Sequence, residues 1–134
     1  MLFRSHRVIT PSDVIRFRAF IARQTHVSET IREYIVRVVR ATRPTLNVNG
    51  AVPSLPVVEE MVLHGASPRA AQHLLALART TAFFQGRDYV LPADVKRIAP
   101  DALRHRLIRT IRAEAENVSA DEIIAEVLNR VPIA

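Results

Sequence analysis

The residues best placed to do chemistry lie in "HGASPRAAQHLLALA", His64 to Ala78. Ser67 is a suitable helix cap and Pro68 suits a first helical position, where a missing N–H costs nothing. Arg69 follows, in the first turn. A cation there faces the positive end of the helix dipole, unfavourable by about 0.3–1 kcal/mol at an exposed site. Two readings stand. Arg69 is salt-bridged or solvated, or it contacts a phosphate, helped by the free N–H groups of the helix start.

Other residues offer less. His6, His26, His64, His73 and His105 show no i, i+3 or i, i+4 pairing, so no metal site is expected. Glu59–Glu60 reads as a solvated helix face. Glu114 and Glu116 alternate, which in an extended segment puts both on one side. No Gly-rich phosphate loop ending in Lys-Ser or Lys-Thr occurs, and no nucleophile-elbow serine. "RHRLIRTIR" gathers Arg104, Arg106, Arg109 and Arg112. It is the best basic patch, but without interleaved aromatics it is weak for single-stranded nucleic acid.

The bulk properties bound the rest. The chain has 134 residues and a net charge of +6, enough for one domain with a core. It contains no cysteine, which excludes disulfides and thiolate metal sites. No apolar run nears the roughly 20 residues that span a bilayer, and "MLFRSHRVITPSD" lacks the apolar core of a secretory signal. A cytoplasmic domain is expected.

The elements that must position Arg69 read as helices. Thr10, Pro11 and Asp13 start a first helix, with Val14, Phe17 and Ile21 on one stripe and Phe20 beside it. Ser28 caps a second, in which Ile31, Tyr34, Ile35, Val38 and Val39 follow the helical repeat and Glu33 can pair with Arg37. Residues 44–64 carry three prolines, two asparagines and a glycine and read as an irregular loop, with a short helix on "VVEEMVL". A third helix runs from Pro68 to about Gln85 and stops at Gly86. Its apolar residues cover most of its circumference, which predicts a buried central helix. A helix starts at Pro92, and the helical pattern continues after Pro100. Leu107–Ile111 alternates and could be a short strand, though no sequence-adjacent partner exists. Ser119 and Glu122 form a capping box for the last helix, which Pro132 stops. The expected fold is all-α, a small helical bundle with at most that minor strand.

"GASPRA", "GRDYVLPADVKRIAPDALRHR", "AEAENV" and the closing "VLNRVP" occur in an order that resembles the C-terminal lid of MoxR-type AAA+ ATPases. "HVSETIREYIVRVVRATR" resembles that family's second lid helix. The similarity runs from about Val8 to the C-terminus. It implies a lid domain over 8–134, with 1–7 an extension or linker from an ATPase core. By the same resemblance Arg69 is the sensor-two arginine, reaching the terminal phosphates of ATP. Gly65 and Ala66 allow the tight approach, and Ser67 and Pro68 aim the helix. Magnesium would be held by the core, whose phosphate loop lies upstream, so this chain alone should not hydrolyse ATP. The parent would be a hexameric ring acting as a chaperone-like remodeller, in contact with its own core, neighbouring subunits and a von Willebrand factor A domain partner. Two other functions remain open: a basic nucleic-acid-binding domain using the four arginines of 104–112, and a structural interaction module without ligand.

Overall fold

A computed structural model of the chain describes residues 8–44 and 55–133. Among these residues the fold is mostly helical, with seven α-helices and one two-stranded ladder. The helices are α1 (Pro11–Gln24), α2 (Glu29–Ala41), α3 (Pro56–Met61), α4 (Arg69–Phe84), α5 (Pro92–Leu103), α6 (Ile111–Ala115) and α7 (Ala120–Arg130). A 3-10 turn, Arg104–Arg106, follows α5. Strands β1 (Val62–His64) and β2 (Ile108–Arg109) complete the set.

The expected caps form at three helices. Thr10 accepts from the Asp13 N–H while Asp13 accepts from the Thr10 N–H at 2.8 Å. Ser28 accepts from the Ile31 N–H. Ser119 and Glu122 bond reciprocally at the start of α7. Each satisfies donors that a helix start leaves without partners. Gly86 ends α4 with φ +73°, the left-handed conformation that favours glycine. Helix α5 runs through Pro100 without a break.

The core is built on α2, whose Ile31, Tyr34, Ile35, Val38 and Val39 are buried. Against it lie Leu74 and Ala78 of α4 and Ile123, Ile124 and Val127 of α7, and Val95 and Leu103 of α5 join the same core. Arg37 does not join Glu33. Its Nη2 donates to the Ile133 carbonyl at 2.6 Å and ties α2 to the end of the chain. The longest helix contact is α4 against α5. The connection before α5 is stapled to the α1–α2 turn, where the His26 N–H donates to Asp88 and the Val90 N–H to His26.

Four expectations need correction. First, α4 is not buried all round. Only the stripe Ala70, Leu74, Ala78 and Ala82 is fully covered, while Phe84 is 80% exposed. Small residues at four-residue spacing let α5 and α2 approach on one side, and no described element covers the Phe84 side. Second, α1 buries only Ile21. Val14, Phe17 and Phe20 remain exposed, because α1 reaches the bundle through Ile21 and an edge-on contact of Phe20 with Phe83, 5.9 Å between ring centres. Third, Glu114 lies in α6 and Glu116 at its C-terminal cap, not in an extended segment, and Arg112 donates to Glu116 across one turn. Fourth, the Ser67 side chain makes no capping bond (see below).

Residues 45–54 of the loop-like segment lie outside the described residues. From Leu55 onward it is ordered by burial. Leu55, Val58, Met61 and Val62 all join the core, and the short helix expected on Val57–Leu63 is α3 followed by β1. The strand expected near 107–111 is β2. It pairs antiparallel with β1, Val62 opposite Arg109 and His64 opposite Ile108.

Candidate functional site

The ladder delivers the chain to Gly65. Beyond it, "GAS" is clamped on the C-terminal end of α2. The Ala66 N–H donates to Thr42 Oγ1 at 3.0 Å, and Arg43 Nε donates to the Ala66 carbonyl at 2.7 Å. Thr42 passes its own proton to the Val39 carbonyl at 2.7 Å. Both main-chain polar groups of Ala66 are thus satisfied, as burial requires. Gly65 sits so close to α2 that a Cβ would overlap the Thr42 carbonyl oxygen and meet the Arg43 Cα at 2.7 Å. The glycine is needed here for lack of bulk.

The start of α4 differs in detail from the expected cap. Pro68 takes helical backbone angles, and the Ala70 N–H donates to the Ser67 carbonyl at 2.9 Å. The first turn is therefore closed by the main chain of Ser67. Its hydroxyl stays exposed and outside the cap. The Ser67 hydroxyl does not accept from the helix start; the Ala70 and Ala71 N–H groups go to the Ser67 and Pro68 carbonyls, and the Arg69 N–H is left without a partner among the described residues.

Arg69 is the first residue of α4. It is exposed and makes no hydrogen bond or ion pair among the described residues. Most arginines placed near carboxylates behave otherwise. Arg87 is bidentate to Asp94, Arg104 reaches Asp101 and Asp121, Arg112 reaches Glu60 and Glu116, and Arg130 reaches Glu126. The helix-start arginine thus points to solvent beside its own dipole with no internal compensation.

One turn further, His73 adds a second feature. Arg106 Nη2 lies 2.6 Å from His73 Nδ1, and Arg106 Nε donates to the Ala102 carbonyl at 2.9 Å. A guanidinium only donates, so His73 accepts at Nδ1 and carries its proton on Nε2. Residues four apart share a helix face. The 3-10 turn after α5 thereby contributes a second cation to the face that carries Arg69.

The basic run is dispersed by its partners. Arg104 is held by two aspartates, Arg106 by His73 and Ala102, Arg109 by the Val118 carbonyl and Arg112 by two glutamates. Sequence reasoning missed Thr42, Arg43, His73 and Arg106 as neighbours of the site. Thr42, Arg43 and Arg106 lie outside α4, and although all four residues fall within motifs of the sequence, nothing in those motifs pairs His73 with Arg106 or Ala66 with the end of α2. Among the described residues no group of three or more His, Asp or Glu is placed to hold a metal ion, and no helix is long and apolar enough to cross a membrane.

The chain is similar to known proteins along most of its length. Residues 56–127 match the AAA lid domain family. The chain is 38% identical over 132 residues to the chaperone MoxR1 of Mycobacterium tuberculosis, spanning 97% of this chain and 33% of that protein. It is 32% identical to the uncharacterised protein YeaC of Bacillus subtilis, spanning 97% of this chain and 38% of that one. A crystal structure of a candidate ATPase from Cytophaga hutchinsonii superposes with a TM-score of 0.80 and 41% identity, over 92% of this chain and 36% of that one. The chain therefore spans about a third of the length of these relatives.

Proposed function

The chain belongs to the AAA lid domain family and is similar to MoxR proteins; from that premise we propose that it serves as the sensor-two lid of a MoxR-like AAA+ ATPase. The observation that carries this reading is Arg69. It is exposed and unpaired at the start of a long helix, in a segment held rigidly on α2. Nothing internal offsets its placement, and an anion at the helix start would. The donor set fits a polyphosphate: a planar, permanently charged fork beside the open N–H of Arg69 itself.

In this reading ATP and its magnesium ion sit on the core domain, and Arg69 reaches the terminal phosphates from above. It stabilises the charge that builds on the phosphoryl group during hydrolysis. The clamp of Gly65 and Ala66 on Thr42 and Arg43 makes α4 move with α2. A change in phosphate occupancy at Arg69 would thus rotate the bundle as one body. Ser67 and Pro68 serve through the main chain by setting where α4 begins. The parent assembly is a ring, a hexamer by family resemblance, whose lid angle follows nucleotide state. Its work is chaperone-like remodelling, with a von Willebrand factor A domain protein as partner.

The test is a paired measurement on Arg69→Ala. The melting temperature of this chain should stay unchanged or rise slightly, since a charge opposing the dipole is removed. Steady-state ATP hydrolysis by the full-length protein should fall on the order of a hundredfold, as for loss of a phosphate-directed charged contact. An unfolded variant would make Arg69 structural. A stable variant with unchanged hydrolysis would make it a solvated surface residue.

A further inference from the structure

We propose that the cleft between α1 and α4 is an oxyanion site, separate from the helix start that carries Arg69. The cleft has a volume of about 310 Å³ and is lined by Arg18, Ala19, Ile21, Ala22, Ala76, Arg79 and Thr80. Arg79 lies ten residues after Arg69, about 15 Å along the helix axis. The site therefore stands whether or not Arg69 serves as a sensor.

Arg79 is the reason for the assignment. Its Nε is buried, yet it has no hydrogen-bond partner. The whole side chain makes no hydrogen bond or ion pair among the described residues. Buried guanidinium donors are ordinarily paired, because leaving one unpaired costs its desolvation. Burial, and then the charge of Arg32, weaken the hold of Arg79 on its proton. The second effect registers a neighbouring positive charge. Arg32 itself has only a loose contact with Glu29, at 3.8 Å.

The walls favour a small anion. Arg18 comes from α1 across the cleft, so two guanidinium groups from two helices face one volume. No acidic residue lines it. Thr80 gives its proton to the Ala76 carbonyl at 3.0 Å and so leaves recognition to the arginines. The remaining walls are Ala19, Ala22 and Ala76, which are exposed, and Ile21, which is buried. Guanidinium forks match phosphate and carboxylate oxygens alike. The ligand class is a compact oxyanion, either a phosphate group or a carboxylate presented by another part of the assembly.

The experiment is an NMR titration of this chain with sodium phosphate and, separately, sodium acetate. It follows the arginine Nε–H resonances across the millimolar range at constant ionic strength. Phosphate should shift Arg79 Nε–H saturably, with Arg18 following, and the shift should persist in Arg69→Ala. Arg18→Ala, a change at an exposed position of α1, should weaken the apparent affinity roughly tenfold. Saturation by phosphate with no response to acetate identifies a phosphate site; saturation by acetate identifies a carboxylate-docking site. Absence of any saturable shift at Arg79 with either anion overturns the proposal. So does a shift that Arg18→Ala leaves unaltered in a variant whose amide spectrum is otherwise native.

Discussion

Arg43 Nε donates to the carbonyl oxygen of Ala66 at 2.7 Å, joining the end of α2 to the segment that enters α4. Twenty-three residues separate the two in sequence. Thr42 holds the N–H of the same residue. Ala66 is thus gripped on both sides and almost fully buried, while Arg69, three positions on, is exposed. A rigid base beneath a free charged tip is the arrangement expected of a group that must meet a ligand in a set geometry.

Gly65→Ala should lower stability by about 1–3 kcal/mol, the usual cost of forcing a methyl group into a filled space. Its new Cβ would strike main-chain atoms of Thr42 and Arg43, which cannot swing aside. Gly86→Ala provides the comparison. That glycine has φ +73° but open space around its Cβ position, so only backbone strain of about 1 kcal/mol is added. Chemical denaturation of both variants should rank Gly65→Ala as the more damaging. The reverse order would mean that the contact with α2 yields easily.

Asp94 predicts a loss of stability in acid. It is 2% exposed, and burial alone would raise its pKa. The Arg87 fork at 2.8 and 2.6 Å, with the Leu91 N–H at 2.8 Å, outweighs burial and holds the carboxyl below its ordinary value. A group depressed in the folded state stabilises the fold above its unfolded pKa, about 3.9, and loses that contribution as pH falls through the folded value. Asp13 and Glu122, depressed by their cap bonds to Thr10 and Ser119, act with the same sign. Stability should therefore drop below about pH 4. Asp94→Asn should cost about 2–3 kcal/mol at neutral pH, toward the low end for a broken buried pair because Arg87 is still partly hydrated. Melting curves of both proteins between neutral and acid pH check this: their difference should shrink as pH falls.

Tyr34→Phe should leave stability unchanged or raise it by up to about 1 kcal/mol. The ring is fully buried, and its hydroxyl has no hydrogen-bond partner among the described residues. Removing an unsatisfied polar atom relieves a desolvation cost without opening much volume. Burial also raises the pKa of this phenol, so its absorbance titration should begin later than the ordinary tyrosine value predicts. A marked loss of stability in Tyr34→Phe would reveal a partner for the hydroxyl.

The sequence by itself determined most of the helices and the starts of α1, α2 and α7, but not α6, which lies where an alternating run was read. Thr10 with Asp13, Ser28, and Ser119 with Glu122 cap helices through neighbours in the chain, so local chemistry suffices to find them. The repeat Ile31, Tyr34, Ile35, Val38 and Val39 marked the buried face of α2 for the same reason. Arg69 stood out because its conflict with the helix dipole is also local. Which apolar faces find cover is not local. Phe17 and Phe84 have the side chains of core residues, but the tertiary arrangement leaves them exposed. Strand β2 had no partner nearby in sequence and obtained β1 from the far end of the 44–64 segment. The clamp of Ala66 by Thr42 and Arg43, the meeting of Arg106 with His73 and the uncompensated Arg79 in the α1–α4 cleft all depend on side chains from separate elements. Residue spacing encodes which side of a helix a group occupies. Only the packed bundle decides what stands opposite it.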